Sequence, residues 1–251
     1  MKRTALVGLA MCWLASMAQA EGRLILVGDS TMAPRSGYGD ALCARFRPDV
    51  QCLNLARGGR SSGSFRAEGL WDQVLALLRE PGGPRSHVLI QFGHNDQPGK
   101  PGRSTDLVHD FPANLARYVD EVRAAGATPV LLTPLTRRSF RGAWLHDDLA
   151  PWAAATRRVA ADKGVALLDL HGLSRAAVQA MGEAEADTLA MAAKPLPGVP
   201  IHPATTTERA GAANPVFDRT HLGDKGARLT AAIVARQLQD LAPELAAQLL
   251  P

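Results

Sequence analysis

The chain is poor in aromatic residues, 5% of 251 positions, and has only three cysteines. So few cysteines exclude a disulfide-dense scaffold or a Cys-rich zinc module. Neither sign of charge dominates, with 28 Lys and Arg against 24 Asp and Glu. No basic block and no interleaving of basic with aromatic residues appears, so the electrostatic footprint of a nucleic-acid binder is missing. His87, His94, His109, His146, His171 and His202 form no H-E-x-x-H or other close ligand pair, and no metal is expected. G-x-x-x-x-G-K-[ST] and a G-x-G-x-x-G in context are also missing, so no nucleotide cofactor is expected. Long apolar runs are absent with one exception. Residues 5–17 are apolar, follow Lys2 and Arg3, and lead into Ala18-Gln19-Ala20. That order is the one a secretory signal peptide shows, and the run is short for a membrane span. Residues 1–20 are expected to be cleaved, leaving 21–251 as a single domain in the periplasm or outside the cell, with no membrane attachment.

Cys12 leaves with that leader. Cys43 and Cys52 remain, and they either form a disulfide from the end of the first helix to the second strand or sit as two small buried apolar groups. Beyond position 20, apolar runs alternate with amphipathic stretches. Strands are expected at 23–28, 50–56, 87–93, 128–134 and 165–170, each nearly continuous in apolar residues, as suits strands covered on both faces. Helices are expected at about 39–47, 66–78, 106–125, 146–163, 174–189 and 223–241. Five βα units predict an α/β fold, a five-stranded parallel sheet in a three-layer α/β/α sandwich of flavodoxin-like order 2-1-3-4-5. Residues 192–219, with Pro195, Pro197, Pro200, Pro203 and Pro215, break the rhythm as one long loop.

In an open parallel sheet, active residues gather beyond the carboxyl ends of the strands. There the sequence places Gly28-Asp29-Ser30-Thr31, then Asn54 to Ser61, then Gly93-His94-Asn95-Asp96, and near its end Asp218-Arg219-Thr220-His221. A serine hydroxyl needs a base to become a nucleophile, and a histidine needs a carboxylate to hold its tautomer. Ser30, His221 and Asp218 are candidates for those three roles. Asp218 and His221 are three apart, so one turn of chain can bring them to the same side. A tetrahedral oxyanion then needs fixed donors, for which the backbone N–H groups of Ser30 and Gly59 and the amide of Asn95 are candidates.

These blocks carry a family resemblance. The sequence resembles the SGNH (GDSL-type) hydrolases, and within them it is similar to the rhamnogalacturonan acetylesterase-like branch. G-D-S-T-M-A at 28–33, N-x-A-x-x-G-R-S at 54–61, F-G-H-N-D at 92–96 and D-x-T-H-x-x-x-x-G-A at 218–227 occur in the family's order. The resemblance implies an acetylesterase without metal or nucleotide cofactor, acting on an acetylated plant-type polysaccharide. It implies Ser30 as nucleophile, Asp218 and His221 completing the triad, and Gly59 and Asn95 as oxyanion donors. The sequence departs from the pattern at Gly63, where a basic residue is often found.

Competing readings of the same residues exist. Ser30 alone could be a helix cap. Gly59-Arg60-Ser61-Ser62-Gly63 matches the G-x-S-x-G nucleophile elbow, which makes Ser61 a rival, although no HGGG-type loop precedes it. His94 reads as a structural hydrogen-bonding residue. Arg60, Arg137 and Arg138 are candidates for a substrate-binding rim that pairs with uronate carboxylates, and equally for ordinary loop arginines. A lipase or thioesterase of the same superfamily, or a carbohydrate-binding protein without turnover, are the alternative functions.

Overall fold

In the computed structural model, residues 22–195 and 217–250 are described. The expected leader at 1–20 and most of the proline-rich segment lie outside them. Strands β1 (Gly22–Gly28), β2 (Val50–Asn54), β3 (Ser86–Gln91), β4 (Thr128–Leu132) and β7 (Ala166–Leu168) form one sheet, ordered β2-β1-β3-β4-β7. All four pairings are parallel. Counting only these strands, the order is the expected 2-1-3-4-5. Between β4 and β7 the sequence reading missed a short antiparallel ribbon, β5 (Phe140–Arg141) and β6 (Trp144–Leu145). Two-residue strands carry too few positions for a period-2 pattern to show.

Side chains alternate across the sheet, and the two resulting faces build two cores. Leu24, Leu26, Leu89, Val130 and Leu132 face one core, with α1 (Gly39–Cys43), α7 (Asp224–Leu241) and α8 (Pro243–Ala246). Ile25, Val27, Val88, Ile90 and Leu131 face the other, with α3 (Leu70–Leu78), α4 (Asp110–Ala124) and α5 (Ala150–Lys163). Helix α4 shows why it folds there. Phe111, Leu115, Tyr118, Val119 and Val122 recur at helical spacing and are all buried. The outer face of α7 is polar, while Ala227, Ala231, Val234, Ala235 and Leu238 pack inward.

Helix ends moved where local side-chain chemistry competes with the helix. The expected helix at 66–78 is two helices, α2 (Ser64–Ala67) and α3, because Gly69 adopts φ 73° between them, a region open to glycine. Residues 106–109 form a turn in which Asp106 accepts the N–H groups of Val108 and His109, so α4 starts at Asp110. Helix α6 (Leu170–Asp187) begins four residues earlier than expected, capped by Asp169, which accepts from the Gly172 N–H. Cys43 and Cys52 are disulfide-bonded, joining the end of α1 to the edge strand β2.

Candidate active site

Parallel pairing does not stop where the strands formally end. Beyond β2, the N–H groups of Leu55 and Arg57 donate to the carbonyls of Leu26 and Gly28. This holds the turn at 57–60 alongside the residues that follow β1. On the other side, the β3 pairing runs to Gly28 opposite Gln91, so the 92–96 segment also leaves the sheet beside Ser30. Gly59 sits in its turn at φ 78°, in the left-handed region that disfavours any side chain. Its need for glycine is conformational, since a Cβ there would meet nothing closer than 3.4 Å. Asn54 pins the loop after Ser30 from the β2 side, donating to the Met32 carbonyl and to Asp40.

Ser30 Oγ lies 2.9 Å from His221 Nε2, and His221 Nδ1 lies 2.9 Å from Asp218 Oδ2. Ser30 and His221 are 191 positions apart in the chain. Both are more than nine-tenths buried, so their bond is shielded from bulk water. Burial pushes the Asp218 carboxyl up, but the bond and charge of His221 and the backbone N–H groups of His221 and Thr220 outweigh it and hold it below the ordinary range. An ionised carboxylate only accepts, so Nδ1 carries a hydrogen, and in the neutral imidazole Nε2 is then the acceptor facing the serine hydroxyl. The other carboxylate oxygen accepts both backbone N–H groups at 2.7 Å, which fixes the rotamer of Asp218.

Asn95 is buried beside this group. Its Nδ2 donates one hydrogen to the Arg60 carbonyl at 3.1 Å, linking the turn after β2 to the one after β3. The second amide hydrogen remains available. Ser61 is elsewhere engaged. It is fully buried, its Oγ lies 3.2 Å from Ser64 Oγ and accepts the Ser64 N–H, and it braces the start of α2 rather than facing an imidazole.

Beneath Ser30 runs a buried hydrogen-bond chain that sequence reasoning missed. Tyr38 donates to Gln91 Oε1 at 2.8 Å, Gln91 Nε2 reaches Thr31 Oγ1 at 2.6 Å, and Thr31 donates to Asp29 Oδ1 at 2.8 Å. The other Asp29 oxygen lies 3.3 Å from His94 Nδ1. Burial pulls the His94 imidazole down, against the pull of Asp29. Burial pushes Asp29 up, but His94 and the Thr31 donors outweigh it, so the carboxylate stays ionised. His94 thus lies buried under the site against Asp29. On the neighbouring loop, Asp96 accepts from Ser62 Oγ at 2.6 Å, Ser62 N–H at 3.0 Å and Thr105 Oγ1 at 2.9 Å. Burial raises its carboxyl to about 6, against these donors. Among the described residues, no group of three or more His, Cys, Asp or Glu converges as a metal site would require.

A sequence model of the GDSL-like Lipase/Acylhydrolase family matches residues 26–229, a span that begins in β1 and ends in α7. The chain belongs to this family. It is 28% identical over 225 residues to the probable rhamnogalacturonan acetylesterase YesY of Bacillus subtilis (strain 168), a match covering 87% of this chain and 93% of that one. It is 30% identical over 227 residues to the rhamnogalacturonan acetylesterase RhgT of the same organism, covering 87% and 90%. Among solved structures, the Bacillus subtilis protein YXIM matches with a TM-score of 0.67 at 22% identity. That match covers 87% of this chain and 56% of the other, so this chain spans little more than half of it. The likeness shows that the fold is shared.

Within this GDSL-family chain, the three candidate rim arginines have other partners. Arg138 is 1% exposed. Its backbone N–H donates to the Arg219 carbonyl, and its guanidinium reaches the carbonyls of Asp218, Thr220 and His221. Four consecutive carbonyls of the Asp218–His221 turn therefore accept from one residue. Burial pulls this guanidinium down to about 10, against the nearby carboxylates of Asp218 and Asp187, and it stays charged at neutral pH. Arg138 braces the turn from inside and does not face substrate, which corrects the expectation of a rim residue. Arg137 is largely buried, paired with Asp148 and within 3.3 Å of Thr220 Oγ1. Arg60 is about one-third exposed, and its guanidinium is held by Glu68 and the Gly58 carbonyl. Arg219 anchors the turn from a third side, pairing with Glu183 and Asp187 on α6.

Proposed function

We propose that this GDSL-family chain is a secreted serine carbohydrate esterase that removes acetyl groups from a uronate-containing polysaccharide. The observation that carries the reading is the unbroken hydrogen-bond chain from Asp218 through His221 to Ser30, at the carboxyl edge of the sheet. The acetylesterase relatives support the acyl group and the sugar class. Export is supported by the charged, apolar, A-x-A leader pattern and by a disulfide, which persists in oxidising compartments.

The proposed chemistry follows from the placement of these groups. Ser30 Oγ attacks the acetyl carbonyl carbon while His221 Nε2 takes its proton. Asp218 stabilises the imidazolium so formed. The oxyanion is received by the N–H groups of Ser30 and Gly59 and by the second amide hydrogen of Asn95. Collapse breaks the ester C–O bond and leaves Ser30 acetylated, while the departing sugar oxygen takes the proton from His221 and leaves as a hydroxyl. Water, deprotonated by the same imidazole, then attacks the acetyl carbon, and Ser30 Oγ leaves as acetate forms and recovers its proton from His221.

Ser30→Ala is expected to lose nearly all turnover of p-nitrophenyl acetate, and Ser61→Ala to keep most of it if the variant folds. Activity retained in Ser30→Ala would overturn the nucleophile assignment. Wild-type rates across p-nitrophenyl esters of rising length are expected to be highest for acetate. A preference for acyl groups of about eight carbons or more would place the chain with the lipases instead.

A further inference from the structure

The ribbon β5–β6 is mounted on the site in a way that its length does not explain. The loop that follows β4 runs out past Arg137 and Arg138 and returns at Asp148. The Arg137–Asp148 ion pair closes the loop at its base. One foot is fastened to the Asp218–His221 turn through Arg138. The other is fastened to the loop carrying Asn95, since Gln97 Nε2 donates to the Asp148 carbonyl at 3.0 Å. Both feet are therefore tied to turns that carry residues of the proposed active site.

The ribbon itself is rigidly held and two-faced. Phe140 and Leu145 turn inward against Val178 and Ala186 of α6. Gln179 clamps its backbone, accepting from the Leu145 N–H and donating to the Ala143 carbonyl. The opposite face presents Trp144, 74% exposed, directly across the ladder from exposed Arg141. Arg141 Nη2 lies 3.2 Å from His146 Nε2, which orients the guanidinium without neutralising it. Among the described residues, no carboxylate lies within ion-pair distance of Arg141. A tryptophan held out in water on a braced hairpin offers a flat apolar surface at little conformational cost. A guanidinium beside it offers a fork for a carboxylate.

We propose that the outer face of this hairpin is a glycan-binding platform, on which Trp144 stacks against a pyranose ring and Arg141 pairs with a uronate carboxylate. The platform rests on the reading of the chain as an esterase of acidic polysaccharide and adds where the polymer is held. Trp144 is a specificity residue that takes no part in the chemical steps.

Binding of unesterified oligogalacturonides and of xylo-oligosaccharides to the full chain, followed by calorimetry, separates the platform from catalysis. Trp144→Ala is expected to weaken oligogalacturonide binding about tenfold. Arg141→Gln is expected to weaken it about three- to fivefold, in a salt-sensitive way, and to leave xylo-oligosaccharides unaffected. Turnover of p-nitrophenyl acetate is expected to be unchanged in both variants. Wild-type-like binding by Trp144→Ala, or no oligogalacturonide binding by the wild type, would overturn the platform. So would a parallel loss of aryl acetate turnover, which would make Trp144 a structural residue. Oligogalacturonide binding that depends on Trp144, with no release of acetate from acetylated oligomers, would leave the platform standing and sink the acetylesterase reading. Acetate release with binding independent of Trp144 would do the reverse.

Discussion

Asn95 and Asp96 are neighbours in sequence with opposite tasks. Asn95 turns one amide hydrogen to the Arg60 carbonyl and keeps the other for the proposed oxyanion. Asn95→Ala is expected to lower kcat by about 10²–10³, or about 2.7–4 kcal/mol, with a smaller change in KM. A loss of less than about tenfold in a folded variant would remove Asn95 from that role. Asp96 holds the turn after β2 through Ser62, and burial raises its carboxyl to about 6. A carboxyl that titrates higher in the native state than in the unfolded chain keeps its proton longer when folded. Its contribution is therefore present at low pH and is lost as pH rises from about 4 through 6. Asp96→Asn escapes that loss. Its stability relative to wild type should improve by up to about 3 kcal/mol between about pH 4 and pH 7, measured by urea denaturation at both. A pH-independent difference would refute the shifted titration. The local blocks around Ser30, Asn95 and Asp218 made these residues legible in the sequence. Tyr38 and Gln91 were not legible, because each finds its partner on another element and no local pattern marks it. Arg138 misled for a related reason. Thr136-Arg137-Arg138-Ser139 is polar and reads as an exposed loop, and only the return of residues 218–221 over it makes it a buried brace.

Among the elements, β2 stands at the edge of the sheet yet carries the turn with Gly59. The Cys43–Cys52 bond ties this strand to α1, and α1 packs on α7. A crosslink across so short a loop restricts the unfolded chain, an effect of about 2–3 kcal/mol. Replacing both cysteines with serine should lower the melting temperature by about 5–10 °C. The wild type should lose a similar amount under reductant, while the double variant should not respond to reductant at all. An unchanged melting temperature in the double variant would mean that the bond contributes nothing to stability. Long apolar strands and amphipathic helices were legible because burial on one side imprints a period on the sequence. The exceptions have named causes. Gly69 splits α2 from α3, the Asp106 side chain delays α4, and Asp169 starts α6 early. The β5–β6 ribbon left no trace because its two short strands are held mainly by contacts to α6.

Across the whole molecule, the sheet order does the assembling. With β1 between β2 and β3, the Ser30 turn is flanked by the turns bearing Gly59 and Asn95, and the chain's return before α7 brings the Asp218–His221 turn onto the same edge. The sequence by itself determined the fold class and the family, and it narrowed the proposed reacting groups to a few short polar blocks. Hydrophobic periodicity and short polar blocks are local properties, and both survive in a one-dimensional reading. Only the tertiary structure decided which arginines face inward, which serine meets an imidazole, and whether the two cysteines meet. It also turned Trp144 and Arg141 outward on one braced face. Those outcomes depend on distances between residues far apart in the chain, and such distances are set by packing rather than by composition.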